Sequence, residues 1–463
     1  MVKVFLGDEE QEITGDYVPL TIPRRPAWDR SMTAYEIEQQ ENVSFLEWRR
    51  DIANIEQNNI ALAITPFEKN VGIWRQLWRV IEKCHLLLQI VDARNPYFFF
   101  SEDLGKYIEE VSGTGENSKK QFVLLINKAD YLSDELILHW NAYFKEKGVE
   151  HIFFSALEEQ TKIDNGDLDE SFEDSNGENE DEEENDEEVA AVVDTEERKL
   201  VEESVGGFKN ELERQARDEK EAETRKRKLD ETLDEDLQLS TITVFSRSQL
   251  LTLLKKRARL MCEEDDTDER LMVGTIGYPN VGKSSVINVL MGVKKVGVAA
   301  LPGKTKHLQT LILNREVELC DCPGLVFPSF ANSKAEMMCC GVLPIDSLRD
   351  HISPVSLVLS RIPKEVLETF YKVVLPPQDS VKYTTSTFLQ VLASKKGWRT
   401  GTGNPAEMRS SKWVLKDYTT GRLLHCQLRP DFDRTKHAIC RQNGFNMDMA
   451  AIEEEGENAE EEK

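Results

Sequence analysis

The order of three motifs constrains this chain more than any other feature. Gly277-Tyr278-Pro279-Asn280-Val281-Gly282-Lys283-Ser284 has the spacing of a phosphate-binding loop. Asn127-Lys128-Ala129-Asp130, a pattern that can read a guanine ring, lies far upstream of it. Asp321-Cys322-Pro323-Gly324, a pattern that senses a terminal phosphate and its magnesium, follows it. Three such motifs ordinarily share one pocket, with the phosphate loop first and the base-reading motif last. A reordered chain can still build that pocket, because a parallel sheet is defined by which strands are neighbours and not by the order in which the chain makes them. The motifs therefore ask for a circularly permuted α/β domain, provided each one sits at a strand end.

The surrounding sequence meets that condition. Leu86-Leu87-Leu88-Gln89-Ile90-Val91-Asp92 reads as a buried parallel strand, with Asp92-Ala93-Arg94-Asn95-Pro96 as the loop at its carboxyl end. Phe122-Val123-Leu124-Leu125-Ile126 delivers Asn127, and His151-Ile152-Phe153-Phe154 delivers Ser155-Ala156. Amphipathic helices are expected at 74–83, 102–111 and 133–147, alternating with these strands as in an α/β sheet. Met272-Val273-Gly274-Thr275-Ile276 leads into the glycine loop, and 284–291 reads as the helix after it, the strand-loop-helix context that validates a phosphate loop. A base-reading motif recurs by chance, and DxxG alone means almost nothing. All of them together at strand ends leave little room for coincidence.

Each residue then has an expected task. The N–H groups of Gly277, Asn280, Val281, Gly282 and the helix N-terminus cradle phosphates. Lys283 places a charge near the β and γ phosphates, Ser284 coordinates Mg2+, and Ser285 touches the α phosphate. Thr305, in Pro302-Gly303-Lys304-Thr305, is the second candidate magnesium ligand. Asp321 reaches the ion through water, and the Gly324 N–H meets the γ phosphate. Asn127 bonds the guanine ring, and Asp130 accepts from N1–H and the 2-amino group, a donor pair that adenine lacks. Lys128 packs over the base, and Ser155 and Ala156 supply backbone to the guanine O6.

The catalytic group is not legible. Many GTPases carry Gln after DxxG to orient the attacking water, but here Leu325 stands there. Either hydrolysis is lost and the chain is a nucleotide-binding scaffold, or a partner or cation completes the site. The Asn280 carbonyl is a candidate K+ ligand. The second alternative implies slow intrinsic turnover and activation by a large partner, an effect worth up to ~10⁵ in related sites.

Charge is distributed unevenly. The net is -27 over 463 residues, yet 164–188 holds 15 acidic residues in 25 and the last eleven residues carry seven Glu. The remainder is near balance, so the acidic total does not exclude a nucleic-acid partner. The eight cysteines form no CxxC pair and read as reduced thiols. No apolar run reaches the ~18 residues of a membrane span. The expected organisation is a basic and helical N-terminal extension (1–70), the first half of the permuted domain (71–160), an acidic insertion at the seam (161–240), the second half (241–330), a small helical C-terminal domain (331–430) and an acidic tail (431–463). Within the extension, Ile22-Pro23-Arg24-Arg25-Pro26-Ala27-Trp28 and the helix carrying Phe45-Leu46-Glu47-Trp48-Arg49-Arg50 could pack on the core or touch RNA. Arg225-Lys226-Arg227-Lys228 reads as a solvated helix face rather than a nuclear signal.

The chain resembles the eukaryotic cytoplasmic members of the circularly permuted GTPase family that matures the large ribosomal subunit. The resemblance runs from about Pro19 to Cys426, apart from the acidic insertion. Its carriers outside the nucleotide motifs are Ile22-Pro23-Arg24-Arg25-Pro26, Phe45-Leu46-Glu47-Trp48-Arg49-Arg50, Thr65-Pro66-Phe67-Glu68-Lys69-Asn70, Trp74-Arg75-Gln76-Leu77-Trp78-Arg79-Val80, Asp92-Ala93-Arg94-Asn95-Pro96 and Val342-Leu343-Pro344-Ile345-Asp346. It implies a monomeric cytoplasmic GTPase that binds the late pre-60S particle through ribosomal RNA and proteins, and whose GTP hydrolysis promotes release of the nuclear export adaptor. A nucleolar member acting earlier in assembly, a scaffold without turnover, and a signalling or trafficking GTPase are the competing readings. The last is weakened because the sequence shows no lipidation motif.

Overall fold

The computed structural model describes residues 2–6 and 9–13, residues 20–166 except 30, 59–63 and 113–119, and residues 244–428 except 266–269, 294–307, 329–333, 378–379 and 381. The acidic tail, nearly all of the acidic insertion and the 225–228 cluster lie outside these residues.

Nine strands are described: β1 (Val2–Leu6), β2 (Glu9–Ile13), β3 (Leu86–Asp92), β4 (Gln121–Asn127), β5 (His151–Phe154), β6 (Val244–Phe245), β7 (Leu271–Ile276), β8 (Gln309–Ile312) and β9 (Val317–Asp321). β3 to β9 form one seven-stranded sheet in the order β6-β5-β4-β3-β7-β9-β8. Every pairing in it is parallel except β8 with β9. β3, from the first half of the chain, lies against β7, from the second half, with Leu87 opposite Gly274. That junction is the permutation made physical: the two halves meet by strand adjacency.

Helices cover the sheet. α1 (Ala34–Asn58), α2 (Val71–Lys83), α3 (Pro96–Phe99), α4 (Glu102–Val111), α5 (Asp134–Glu146) and α6 (Ala156–Asn165) precede the insertion. α7 (Arg247–Asp265) and α8 (Lys283–Met291) follow it. α2 shows why these sequences make these elements. Asn70 caps it by accepting from Gly72 N at 2.9 Å, and Trp74, Leu77, Trp78, Val80 and Ile81 turn one stripe to the core. β3 is buried at every residue, as a strand covered on both faces must be. Gly274 in β7 is required by this packing, because a Cβ there would come within 2.6 Å of Val80 Cγ1.

Four features depart from the sequence reading. Val2–Leu6 and Glu9–Ile13 form an antiparallel pair, β1 with β2, in an extension expected to be basic and helical. Val244–Phe245 form β6, a short parallel edge on β5 that the sequence reading did not include as a strand. β8 supplies an antiparallel edge that no motif announces. α6 continues through Asn165 to a left-handed Gly166 cap, so the acidic run begins inside a helix.

The basic N-terminal segment is consumed internally. Arg24 pairs with Asp103 and Glu110, and Arg25 pairs with Glu41 and Glu82. Glu41 also receives Arg75 at 2.7 Å. Trp48 is buried, donates to Thr21 O at 2.7 Å and packs edge-on against Trp74. These side chains fasten α1 to the core, which is the packing reading of the segment; Arg49 and Arg50 remain exposed.

After β9 the chain forms α9 (Lys334–Cys339), α10 (Ser353–Arg361), α11 (Lys364–Tyr371), α12 (Thr385–Lys395) and α13 (Glu407–Thr419). Val355, Val358, Leu367, Phe388, Leu389, Val414 and Leu415 give these helices a hydrophobic core of their own. A buried Arg361–Glu336 pair closes it toward α9.

Candidate nucleotide site

The carboxyl ends of β3, β4, β5, β7 and β9 lie along one edge of the sheet, and the motif residues sit there together. Register puts Asp92 opposite Asn127 and Thr275 opposite Asp321. Open parallel sheets bind ligands at this edge.

The phosphate loop joins β7 to α8. Gly282 turns left-handed at φ +99° against the base-reading strand, where a Cβ would collide with Asn127 Nδ2. Asn127 Nδ2 donates to Val281 O at 2.9 Å, so the base-reading and phosphate-binding motifs are dovetailed. That nitrogen carries two hydrogens, and the Val281 carbonyl takes one of them. Lys283 is buried, and its amine donates to Gly277 O at 3.0 Å and Tyr278 O at 2.6 Å. Burial pushes its pKa down to about 8, against the pull of Asp321 and Cys322. Ser284 and Ser285 occupy the first turn of α8 and are half-buried.

Asp321 is fully buried at the end of β9. Gly324 lies so close to the loop that a Cβ would come within 3.0 Å of Lys283 Nζ. The adjoining Leu325 is fully buried in the main core, and its N–H donates to Gly277 O at 3.1 Å. The side chain that would orient water in many GTPases is here part of the floor. Phe327 continues the floor, accepting from Thr65 Oγ1 at 3.0 Å and stacking edge-on with Tyr278.

On the base side, Asp130 accepts from Ser155 Oγ at 2.7 Å. Ser155 also caps α6 by accepting from Glu158 N. Ala156 N donates to Asn127 Oδ1 at 3.2 Å. Ser155 and Ala156 therefore orient the two base-reading side chains. A backbone contact from Ala156 to a guanine keto group requires its N–H to share or exchange that partner. Lys128, held at φ +66°, donates to Asp92 Oδ2 at 2.7 Å and Asn280 O at 2.9 Å. Asn280, also left-handed, turns Nδ2 to Gly341 O at 2.9 Å. Thr305 lies outside the described residues.

Two residues of this edge were not expected as part of the site. Arg94 grips Asp92 with Nε at 3.0 Å and Nη2 at 2.7 Å. Burial alone would raise the Asp92 pKa, but Arg94 and Lys128 overcome it and hold the carboxyl far below its usual range. An acidic residue ending a buried, mostly apolar strand, in register with Asn127, was the signal that could have revealed it.

The site fits magnesium-bound guanine nucleotide in its chemistry. Gly282 and Gly324 leave a cradle that side chains would fill, α8 presents its N-terminus, and the buried Asp321 carboxylate acts electrostatically on Lys283, the first residue of α8. Ser284 and Asp321 are the described residues that would hold the ion.

Fold and site together define a circularly permuted P-loop GTPase. Residues 272–366 match the family model described as 50S ribosome-binding GTPase. The Large subunit GTPase 1 homolog of Rattus norvegicus is 40% identical over 456 residues, covering 89% of this chain and 67% of the relative. That of Homo sapiens is 38% identical, covering 93% and 70%. GNP-bound YlqF from T. maritima aligns with 76% of this chain and 94% of its own at 16% identity and a TM-score of 0.35. The chain belongs to the large subunit GTPase 1 family. Among the described residues no helix is long and apolar enough to cross a membrane.

Proposed function

We propose that the protein hydrolyses GTP on the late pre-60S particle in the cytoplasm, as a monomer, and that hydrolysis promotes release of the nuclear export adaptor. The observation carrying the enzymatic part is the convergence of Asn127, Asp130, Lys283 and Asp321 on one sheet edge. Asp130 and Asn127 read the guanine, residues 277–285 hold the phosphates, and Ser284, Thr305 and Asp321 hold Mg2+. The ion, when bound, neutralises phosphate charge. Family membership supports the ribosomal part.

A feature of the C-terminal helices supports contact with ribosomal RNA. Between Lys395 and Lys416 there are six Lys and Arg and one Glu, in a chain whose net charge is -27. Trp398 and Trp413 meet edge-on at 5.4 Å, with Arg409 over the first ring and Lys396 over the second. Cations interleaved with aromatic rings suit RNA. The segment from Asp321 to Phe327 leads into these helices, so loss of the γ phosphate would shift them against the RNA.

Turnover is slow without the particle, because buried Leu325 offers nothing to a water. The particle, or K+ at Asn280, completes the site. The same Leu325 favours a second reading, a GTP-binding scaffold without turnover. Hydrolysis by purified protein, in K+ and in Na+, with and without pre-60S particles, separates the two. Particle-stimulated phosphate release with loss of the adaptor from the particle supports the first. Tight GTP binding with no turnover under any condition establishes the second.

A further inference from the structure

The guanine-reading loop is braced from outside the nucleotide domain. Arg94 uses Nε and Nη2 on Asp92, and its remaining Nη1 donates to Tyr418 O at 3.2 Å and Thr419 O at 2.9 Å. Those carbonyls end α13, where the helix dipole favours a cation. The segment just beyond wraps the same loop. Tyr131 Oη donates to Thr420 O at 3.1 Å, Gln427 N donates to Arg94 O at 2.7 Å, and Cys426 Sγ donates to Tyr131 O at 3.3 Å. Gly421, at φ +79°, lies so close to the Tyr131 ring that a Cβ would come within 2.6 Å of it. Asn280 makes an independent tie from the phosphate loop to Gly341.

We propose that Arg94 is a positioning residue that couples guanine-nucleotide binding to docking of the C-terminal helices, through the relay Lys128–Asp92–Arg94–Tyr418/Thr419. This rests on the guanine-nucleotide reading of the site. Docking of α13 fixes the Arg94 fork, the fork fixes the Asp92 carboxylate, and the carboxylate fixes the Lys128 amine over Asn280. Undocking removes two acceptors from a shielded guanidinium. Arg94 must then turn toward water, leaving Asp92 with Lys128 as its remaining cation, and the amine no longer has one set position. Such coupling is reciprocal: a base seated on Lys128 favours docking by the same factor that docking favours the base. The C-terminal region thus senses the base side of the pocket as well as the phosphate side.

The test uses the full chain, N-methylanthraniloyl-GDP as the affinity probe, and hydrogen exchange of residues 277–284 and 416–428 with and without GDP. In the native protein GDP slows exchange in both segments. In Arg94→Ala, GDP affinity falls about tenfold, within the range of coupled sites. Protection of 277–284 by GDP persists there, while the response of 416–428 is lost. Arg94→Lys keeps the charge but not the fork, so it loses the 416–428 response with a smaller change in affinity; it carries the test alone if Arg94→Ala does not fold. A variant with native affinity, or one whose 416–428 segment still answers GDP, overturns the coupling. So does a native 416–428 segment that ignores GDP. Failure of the native chain to bind the probe overturns the guanine reading itself.

Discussion

Lys283 and Lys128 stand on the two halves of the nucleotide site, and the fold holds them by different means. Lys283 is buried in the phosphate loop, and its described hydrogen bonds go to carbonyls of that same loop, Gly277 and Tyr278. Lys128 is less enclosed, but a carboxylate touches it, and that carboxylate is held in turn by Arg94 and, through Arg94, by α13. The phosphate half is therefore local: eight consecutive residues contain most of what it needs. The base half is distributed over β3, β4, β5 and the end of α13. A local device can be carried anywhere in a chain without loss, whereas a distributed one depends on the whole fold being in register. Circular permutation leaves the first untouched and requires the second to be rebuilt by strand adjacency, which the β3–β7 pairing achieves.

The largest expected effect breaks the phosphate half alone. Lys283→Ala should lower GTP hydrolysis by about 10²- to 10³-fold, the usual cost of removing a preorganised group aimed at transition-state charge. Preference for GDP over ADP should survive, because the base half does not use Lys283. Phosphate release and competition binding read the two quantities separately; a parallel loss of base preference would show that the halves are not independent.

A smaller effect tests the floor beneath both halves. Leu325→Gln restores the residue type found in many GTPases, yet the position is fully buried. The amide would be left in the core at a cost of about 1–3 kcal/mol, and hydrolysis would not accelerate. A denaturant midpoint and a single-turnover rate check both statements. A faster variant of unchanged stability would mean that residue 325 faces the nucleotide during turnover.

This contrast also explains what the sequence could reveal. The phosphate loop, Asn127 and Asp130 were legible because their chemistry is written in short fixed spacings. The strands β3, β4, β5 and β7 were legible because burial on both faces demands mostly apolar runs, broken only by single residues such as Gln89 and Thr275. Asp92 and Arg94 were visible as a loop but not as part of the site, since Tyr418 and Thr419 act through backbone carbonyls, which no side-chain pattern encodes. β6 was missed because two residues give no periodicity, and β8 because an exposed edge strand lacks the apolar run. The roles of Arg24, Arg25 and Trp48 stayed open for another reason: cations and an indole serve RNA and an internal pairing equally well. Only the positions of Glu41, Asp103 and Glu110 decide between them.

The smallest effect compares the two lysines directly. Burial lowers the affinity of both amines for protons, but Lys128 has the Asp92 carboxylate at 2.7 Å to oppose the shift. Lys283 has Asp321 acting only through space, and falls from 10.5 to about 8. Below pH 8 the folded and unfolded chains both carry the Lys283 proton, and the folded state bears the full desolvation cost. Between about pH 8 and 10.5 the folded chain releases the proton first, so this group's penalty on stability is relieved as pH rises. Binding follows the opposite trend, since a polyphosphate needs the charge that is being lost. GDP affinity should fall by about fourfold between pH 7 and 8.5 for a single group titrating near 8. In Lys283→Ala that slope should vanish, whereas it should persist in Lys128→Ala, which leaves the Lys283 amine in place. If the slope instead follows Lys128, the carboxylate brace does not protect the base half, and the distinction between a local and a distributed half loses its electrostatic basis.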